Sequence, residues 1–544
     1  MEPRALFGIE TEYALAIWSG RRGALRAERA AELLLDQMCK LPHLRGGGAS
    51  SGIFLENAAR YYTDAGAKPE YATGEAISPT DAVCQVLAGH RLLARASAAI
   101  CSEASGEQRV LITRCNVDYS GTRNTWGSHE SYMCRRGMPE VADGLVPHTI
   151  SRIVISGAGG WDNTSPGLRF VLSPRAMHLG TVCASSSSSV RGIVHFRDES
   201  HASHGWHRLH LTYGEALCSQ LAMYLKIGTT SLVVLTLDYA PDAFAHLYPK
   251  DALRAAYAIA RDLRCSARIR TRDGRSLTAV ELQREILGVV EKMATARAYP
   301  EWTREVCERW HSVLDALKDD PMSLAGKLDW PTKLALYRDH LGREGIDEAR
   351  LERFNQVLDW SGVTTVDEHD FESQLSALAR REIPAALRRL QKWQETQRGR
   401  QAVLAGQHAG LSPDDLRLFE RVRAQVFEID FRYGALGSDG IFDALDAAGA
   451  LQHRVVSDAA IERAMTTPPA GTRAVSRGRA VCELQGHGDS VRCDWSMLID
   501  AQHRRTLDLR DPLRSDAEWM PHPGQAAATD PDVEELFDEV AADL

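Results

Sequence analysis

A chain of 544 residues can form several domains, or one large domain with attachments. Hydrophobic residues make up 44% and charged residues 25%, as in ordinary globular proteins, and the net charge of -9 argues against general binding to nucleic acid or to an anionic membrane. The eleven cysteines never form a C-x-x-C pair, so we expect reduced thiols rather than a zinc cluster or a disulfide framework. Neither a signal-peptide pattern nor a run apolar enough to span a bilayer is found, which predicts a cytoplasmic protein.

Short apolar runs predict strands through about the first 240 residues. They include "ALFGIETEYALAI", "RVLITRCNVD", "RIVISGAG", "RLHLTY" and "TSLVVLTLDY". Helical patterns separate them at 27–41 and at 79–100, where Ser78 is placed as an N-cap. From about 250 to 425 the pattern is mostly helical, and 441–515 mixes helix with strand. This order predicts an α+β protein whose curved, mainly antiparallel sheet is backed by helices.

Two segments are predicted to be additions to this arrangement of sheet and helices. Residues 348–412 contain "ESQLSALARREIPAALRRLQKWQETQRGR", which predicts an amphipathic packing helix, with a partner-binding helix as the alternative. Residues 521–544 form an acidic tail with one apolar stripe. We therefore predict a catalytic domain over 1–440 with a helical insertion at about 348–412, a small C-terminal domain over 441–520, and the tail.

Chemistry is first suggested by "GIETEYA", where Glu10 and Glu12 fall on one face of a predicted strand because side chains alternate along it. Two neighbouring carboxylates repel each other unless a cation lies between them, and Mg²⁺ carried with ATP phosphates would serve. An exposed strand edge with two solvated glutamates explains an isolated E-x-E equally simply.

The stretch "RYYTDAGAKPEYATGE" strengthens the first explanation. As a strand, it places Arg60, Tyr62 and Asp64 on one face, and an arginine fork suits phosphate oxygens. Glu70 and Glu75 add possible oxygen ligands. Asp64 is either a turn residue or the reactive carboxylate of a metal-nucleotide site. Neither a P-loop nor a dinucleotide-binding glycine fingerprint is present.

The ordered motifs together resemble the Pup ligase and depupylase family, within the glutamine-synthetase-like carboxylate–amine ligases. They are "GIETEYA", "ENAARYYTDAGAKPEYATGE", "NVD", "GSHESY", "ISGAG", "LSPRA", "FRDESHA", "RLHL", "LKIGTTSLV", "TPPAGTRA" and "CDWSMLIDAQHRRTLDLRDPLRS". The resemblance implies a catalytic domain that holds Mg-ATP on a curved antiparallel sheet, followed by a small C-terminal domain. The residue roles that it implies are Mg²⁺ ligation by Glu10, Tyr62 and Glu70, ATP contacts by Arg60, Thr73 and Trp495, phosphate contact by Arg473, and catalysis by Asp64.

The sequence departs from the family pattern near the expected acceptor. Leu217 stands in "GEALC", Ser200 in "FRDESHAS", and 433–440 reads "YGALGSDG". These departures favour a phosphotransferase that moves the γ-phosphoryl group of ATP to a small molecule such as a nucleoside monophosphate. The alternatives are a Pup or Pup-like protein ligase that forms an isopeptide bond through a γ-glutamyl phosphate, and a non-catalytic nucleotide-binding regulator.

Overall fold

The computed structural model describes residues 5–20, 23–46, 52–104, 108–119, 124–164, 167–184, 191–195, 205–361, 412–437, 439–486 and 490–521. The strands are β1 Phe7–Glu12, β2 Ala14–Ser19, β3 His43–Arg45, β4 Gly52–Leu55, β5 Arg60–Asp64, β6 Lys68–Ala72, β7 Gln108–Thr113, β8 Ser128–Cys134, β9 Gly160–Trp161, β10 Phe170–Val171, β11 Leu179–Ala184, β12 Arg191–His195, β13 His207–Leu211, β14 Ile269–Arg270, β15 Ser276–Leu277, β16 Val491–Cys493, β17 Met497–Asp500, β18 Arg505–Asp508 and β19 Trp519–Pro521. The helices are α1 Ala27–Met38, α2 Pro79–Glu103, α3 Met138–Ser151, α4 Ile153–Ser156, α5 Gln220–Tyr239, α6 Ala252–Arg261, α7 Ala279–Ala296, α8 Thr303–Asp319, α9 Asp329–Arg343, α10 Glu348–Ser361, α11 Pro413–Tyr433, α12 Ile441–Ala447, α13 Asp458–Ala464 and α14 Arg473–Leu484.

A nine-stranded sheet, in the order β11-β12-β13-β8-β1-β6-β5-β4-β3, organises the molecule. Its strand pairs are antiparallel except for β11 with β12. Helices α2 and α5 cover one face, which we call the back face. The sheet and its helices confirm the predicted α+β class.

Close packing of α2 on the back face depends on a glycine. A Cβ atom at Gly89 would lie 2.4 Å from Cδ1 of Tyr71, so only glycine lets the helix come this near to β6. The helix begins as predicted, because the Ser78 hydroxyl accepts a hydrogen bond from the Asp81 amide at 3.1 Å.

Two of the predicted strands are helices. "TSLVVLTLDY" lies in α5, and "RIVISGAG" contains the short helix α4. Helix α5 is apolar and long enough to span a membrane by composition, but 94% of that window is buried inside the fold. Because it is covered on all sides, it lacks the polar stripe that distinguishes a helix from a buried strand in sequence.

The C-terminal strands β16–β19 form a separate antiparallel sheet. With α14 they pack a small apolar cluster, which includes Val481, Leu498 and Leu507, against Leu44 and Phe54 of β3 and β4. The predicted boundary near residue 440 stays a prediction. Of the predicted insertion, residues 362–411 lie outside the described residues, as do residues 522–544 of the tail.

Candidate active site

Strand register gathers the predicted residues on the face of the sheet opposite to α2, which we call the front face. Across β5, β6 and β1, Tyr62 pairs with Glu70 and Glu70 with Glu12. One step along, Arg60 pairs with Ala72 and Ala72 with Glu10, and β8 places His129 opposite Glu10. The alternation of strand side chains therefore brings both predicted acidic motifs to one surface, as expected from the sequence.

Glu12, Asp64 and Glu70 form the first acidic group, which we call the carboxylate cluster. Each residue contributes an oxygen that lies within 4.8 Å of those of the other two. Glu12 is held in place, since its Oε1 accepts from Lys68 Nζ at 3.0 Å and its Oε2 accepts from the Gly127 amide at 2.6 Å. Burial alone would raise the pKa of Glu12, but the nearby positive charges, including that of Lys68, outweigh burial and lower it. Glu12 therefore favours the charged form.

Glu70 shows that this cluster suits a cation. Only 2% of it is exposed, and its Oε1 has no hydrogen-bond partner within the described part of the chain. Burial raises its pKa well above the usual range, and the negative charges of Glu10, Glu12 and Asp64 raise it further. Crowded carboxylates with an unpartnered buried oxygen match the hard oxygen donors that Mg²⁺ prefers. These residues therefore fit a divalent cation.

Glu10 has different surroundings, which the sequence motifs alone did not reveal. Its Oε1 accepts from Arg208 at 3.1 Å, and its Oε2 lies 3.6 Å from nitrogens of both His129 and His210. Burial opposes the charged form, but the two histidines and Arg208 outweigh it and hold the pKa of Glu10 well below its usual range. The predicted metal ligand Glu10 thus belongs to a glutamate–histidine group beside the carboxylate cluster.

Both histidines stand in motifs that were noted in the sequence, "GSHESY" and "RLHL", without receiving a role there. The only sequence signal for their positions was the alternation of side chains along β8 and β13, which assigns each histidine to one face of its own strand. Their convergence on Glu10 required knowing that β8 lies between β1 and β13.

Next to Glu10 the front face opens into a cleft of about 90 Å³. It is lined by Glu10, Thr73, Arg208, Arg473 and Trp495, with apolar walls that include Phe7 and Met133. Its mixture of apolar walls and a few charged side chains is typical of a small-molecule site. Three of the predicted nucleotide contacts, Thr73, Arg473 and Trp495, therefore share one cavity with Glu10.

Three of the residues expected to contact ATP are each positioned by a different kind of contact. The Thr73 hydroxyl accepts from the Ile9 amide at 3.1 Å, which fixes the chain at the end of β6. The Trp495 ring packs edge-on against Phe54, with ring centres 5.1 Å apart. The Arg60 guanidinium lies 4.7 Å from the centre of the Tyr62 ring. Each of these contacts orients a side chain to which the family resemblance gives a nucleotide contact.

Arg473 is buried, and its hydrogen bonds to neighbouring residues explain how its charge is accommodated. Its Nε donates to Glu75 Oε1 at 2.6 Å and its Nη1 to the Leu509 carbonyl at 2.9 Å, while Arg477 also pairs with Glu75. Burial opposes ionisation of Glu75, but the two arginines lower its pKa to about 2. Glu75 was expected to add an oxygen ligand, and this expectation is wrong because its carboxylate is held by the two arginines.

Known proteins share this arrangement of sequence and fold. A family model described as Pup-ligase protein matches residues 5–369 and 414–499, and the break in that match overlaps the insertion predicted at 348–412. A Pup--protein ligase of Acidimicrobium ferrooxidans is 29% identical over 524 residues, which cover 95% of this chain and 97% of the relative. Among solved structures, the ligase PafA in complex with Pup is 24% identical, with a TM-score of 0.69, over 99% of this chain and 93% of that chain. The Pup ligase PafA in complex with ADP is 23% identical, with a TM-score of 0.63, over 95% of this chain and 94% of that chain.

Proposed function

The chain belongs to the Pup-ligase protein family, and from that premise we propose that it is a Mg-ATP-dependent ligase that joins a carboxyl group of a Pup-like protein to an amine. The family match confirms the resemblance inferred from the sequence motifs and the prediction of an enzyme. The observation that carries the proposal is the convergence of Glu12, Asp64 and Glu70 within 4.8 Å, beside the cleft that Thr73, Arg473 and Trp495 line.

The relatives support a protein substrate rather than the small-molecule acceptor that the sequence favoured. A Pup--protein ligase aligns with 95% of the chain, and one structural neighbour is a complex of PafA with Pup. Transfer to a small molecule is kept as a second candidate because of the sequence departures at Ser200, at Leu217 and over 433–440.

The cleft residues would bind the nucleotide. Trp495 offers an aromatic ring for the base, and Arg208 and Arg473 supply positive charge to the same cavity. Arg60 of β5 pairs with Ala72 of β6, and Ala72 pairs in turn with Glu10 of β1. From this position the planar guanidinium of Arg60 can hold terminal phosphate oxygens. We propose Thr73 as the residue that fixes this wall through its hydrogen bond with Ile9.

Glu10, Tyr62 and Glu70 are the proposed Mg²⁺ ligands, and Glu12 is proposed with them because its carboxylate lies within 4.8 Å of that of Glu70. When bound, Mg²⁺ would supply positive charge that offsets the negative charge of the phosphate groups during transfer. Lys68 and the Gly127 amide hold Glu12 in position.

Two steps then follow for the reacting groups. A carboxylate oxygen of the protein substrate attacks the γ-phosphorus, the bond from that phosphorus to the bridging oxygen breaks, and ADP leaves. A lysine amine nitrogen next attacks the acyl carbon, Asp64 accepts the amine proton, and phosphate leaves with the electrons of the carbon–oxygen bond. The half-buried position of Asp64 on β5 leaves it accessible for this proton transfer.

Hydroxylamine tests the proposal directly because it converts an acyl phosphate into a stable hydroxamate. The full chain is incubated with Mg-ATP, hydroxylamine and a Pup-like protein that ends in glutamate. Mass spectrometry should find a hydroxamate on the terminal residue, in proportion to the ADP formed. Replacing hydroxylamine with a lysine-bearing protein should give a heavier conjugate.

A parallel reaction uses ATP labelled at the γ-phosphate and a panel of nucleoside monophosphates. Label that moves onto a nucleotide, with no hydroxamate from the Pup-like protein, would contradict the ligase proposal and select the second candidate. ATP binding without either product would instead favour the non-catalytic regulator.

A further inference from the structure

Trp495, the cleft residue proposed to contact the nucleotide base, lies in a tight turn between β16 and β17. The backbone of this turn is fixed, because Asp494 Oδ1 accepts from the Ser496 amide at 2.6 Å and from the Met497 amide at 2.7 Å. The turn does not fix the indole ring, which is half-buried and attached through rotatable bonds. The position of the ring at the cleft therefore depends on the side chains that pack against it.

Two side chains that are not among the lining residues of the cleft contact this ring. Phe54 of β4 packs edge-on against it, with the ring centres 5.1 Å apart. Arg477 of α14 lies over it, with the guanidinium carbon 4.7 Å from the ring centre, and Arg477 Nη1 donates to the Trp495 carbonyl at 3.4 Å. The ring is thus supported from outside the cleft by one aromatic side chain and one cation.

The burial of Arg477 makes its contact with the ring a strong one of its kind. The side chain is 0% exposed. A cation over an aromatic ring is attracted most when water does not screen the pair, and tryptophan is the best of the aromatic partners. We therefore expect loss of the guanidinium to release the Trp495 ring.

Protein groups also fix the orientation of the guanidinium itself. Arg477 Nη2 donates to Glu75 Oε2, and Arg477 Nε donates to the Ala58 carbonyl at 3.3 Å. Arg473 stands one helical turn earlier on α14 and pairs with the same Glu75 carboxylate. Arg477 is consequently held in place over the ring by the fold, before any nucleotide binds.

We propose that Arg477 is a positioning residue for nucleotide binding, because its guanidinium holds the Trp495 ring where the ring can contact the base. Arg477 acts through Trp495 and does not itself touch the nucleotide. This inference rests on the proposed function at one point, which is that Trp495 contacts the base of ATP.

Isothermal titration of the full chain with Mg-ATP tests this role in a double-mutant cycle. Arg477→Lys keeps a positive charge for Glu75 but lacks the planar group that lies over the ring, so the dissociation constant for ATP should rise about tenfold. Trp495→Leu removes the ring and should raise the dissociation constant about tenfold or more. Added to Trp495→Leu, Arg477→Lys should raise it by less than about twofold further, since the ring through which Arg477 acts is gone.

Arg479→Lys is the matched control, because it makes the same substitution two positions along α14. Arg479 Nη2 donates to the Ala517 carbonyl at 2.6 Å, and this variant should bind ATP as the wild type does. An equal loss from Arg477→Lys with and without the Trp495 ring would overturn the inference, since Arg477 would then affect the cleft by another route. Wild-type affinity in the single variant Arg477→Lys would overturn it as well.

Thermal unfolding without nucleotide shows whether each variant is folded. If Arg477→Lys is not folded, Arg477→Gln, which keeps a planar amide donor without the charge, takes its place in the cycle with the same expected results. The titration needs no protein substrate, so a chain that binds Mg-ATP but forms neither conjugate nor hydroxamate would contradict the proposed function while the cycle still tests Arg477.

Discussion

The two faces of the central sheet treat buried carboxylates in opposite ways. On the back face, Glu130 of β8 is fully enclosed and accepts from Arg152 at 2.6 and 2.8 Å and from the Tyr132 hydroxyl at 2.6 Å, with Lys226 at 3.5 Å. Burial opposes its charge, but Arg152 and Lys226 outweigh burial and lower its pKa. On the front face, Glu70 is nearly as buried, yet burial and its acidic neighbours raise its pKa well above the usual range.

This difference separates a structural charge group from the proposed binding site. The back-face group is closed, because the protein provides the cations and hydrogen bonds that Glu130 needs. The carboxylate cluster is left short of positive charge, which makes it electrostatically unfavourable without a metal, and the proposed bound cation would stabilise it. Substitutions on the two faces should therefore differ in kind.

The largest expected effect is on the front face, at the proposed proton acceptor. Asp64→Asn keeps the shape of the side chain but cannot accept a proton, so the rate of conjugate formation should fall by about 10²–10⁴-fold. The rate is measured with saturating Mg-ATP, and thermal unfolding shows that the variant is folded. Asp36→Asn, on the exposed side of α1, is the matched control and should retain the wild-type rate. A near-normal rate of conjugate formation by Asp64→Asn would show that Asp64 is not the proton acceptor.

On the back face, breaking the closed group should affect folding rather than chemistry. Arg152→Leu leaves Glu130 buried without its main partner and should lower the free energy of unfolding by about 3–5 kcal/mol. Urea denaturation measures this loss. The double variant Glu130→Leu with Arg152→Leu removes both charges and should recover much of it. If Arg152→Leu is as stable as the wild type, the pairing of Glu130 with Arg152 does not contribute to the free energy of unfolding.

Glu70→Gln should have the opposite sign from Arg152→Leu. It relieves repulsion in the carboxylate cluster, so without metal the free energy of unfolding should rise by on the order of 1 kcal/mol. It also removes a proposed ligand, so the added stability that Mg²⁺ gives the wild type should decrease. Both quantities come from urea denaturation with Mg²⁺ or with a chelator. Stability that falls without metal, or an unchanged response to Mg²⁺, would contradict the assignment.

The smallest effects lie in the pH dependence of stability, where the two faces again differ in sign. The pKa of Glu70 is higher folded than unfolded, so without metal its contribution falls as pH rises above its unfolded value of 4.5. The pKa of Glu130 is lower folded than unfolded, so its contribution is present above 4.5 and is lost as pH falls through the folded pKa. Each carboxyl changes the slope by at most about 1.4 kcal/mol per pH unit.

Glu70→Gln should therefore remove a decline above pH 4.5, and Glu130→Gln a decline below it. Urea denaturation at several pH values, with a chelator present, separates the two. Slopes that change in the same direction in both variants would show that the faces are not electrostatically distinct.

Local patterns were sufficient wherever a residue's role depends on its own strand or helix. Alternation along β1 and β5 placed Glu10 with Glu12 and Arg60 with Asp64 before any strand partner was known, because side chains of a strand alternate between two faces. The helix N-cap at Ser78 could be predicted from the sequence in the same way. The identity of α5 was not, since a helix buried on all sides has the same apolar composition as a buried strand.

What the sequence by itself determined was therefore the family, the α+β class and the residues of the two acidic motifs. Only the tertiary structure decided that β8 and β13 bring His129 and His210 to Glu10, and that Glu75 is held by Arg473 and Arg477 rather than joining the carboxylate cluster. Glu75 and Arg477 are 402 positions apart, and the pairing depends on how the C-terminal segment packs against the sheet. Contacts of that span are set by the order of strands and by packing, which no local pattern in the chain records.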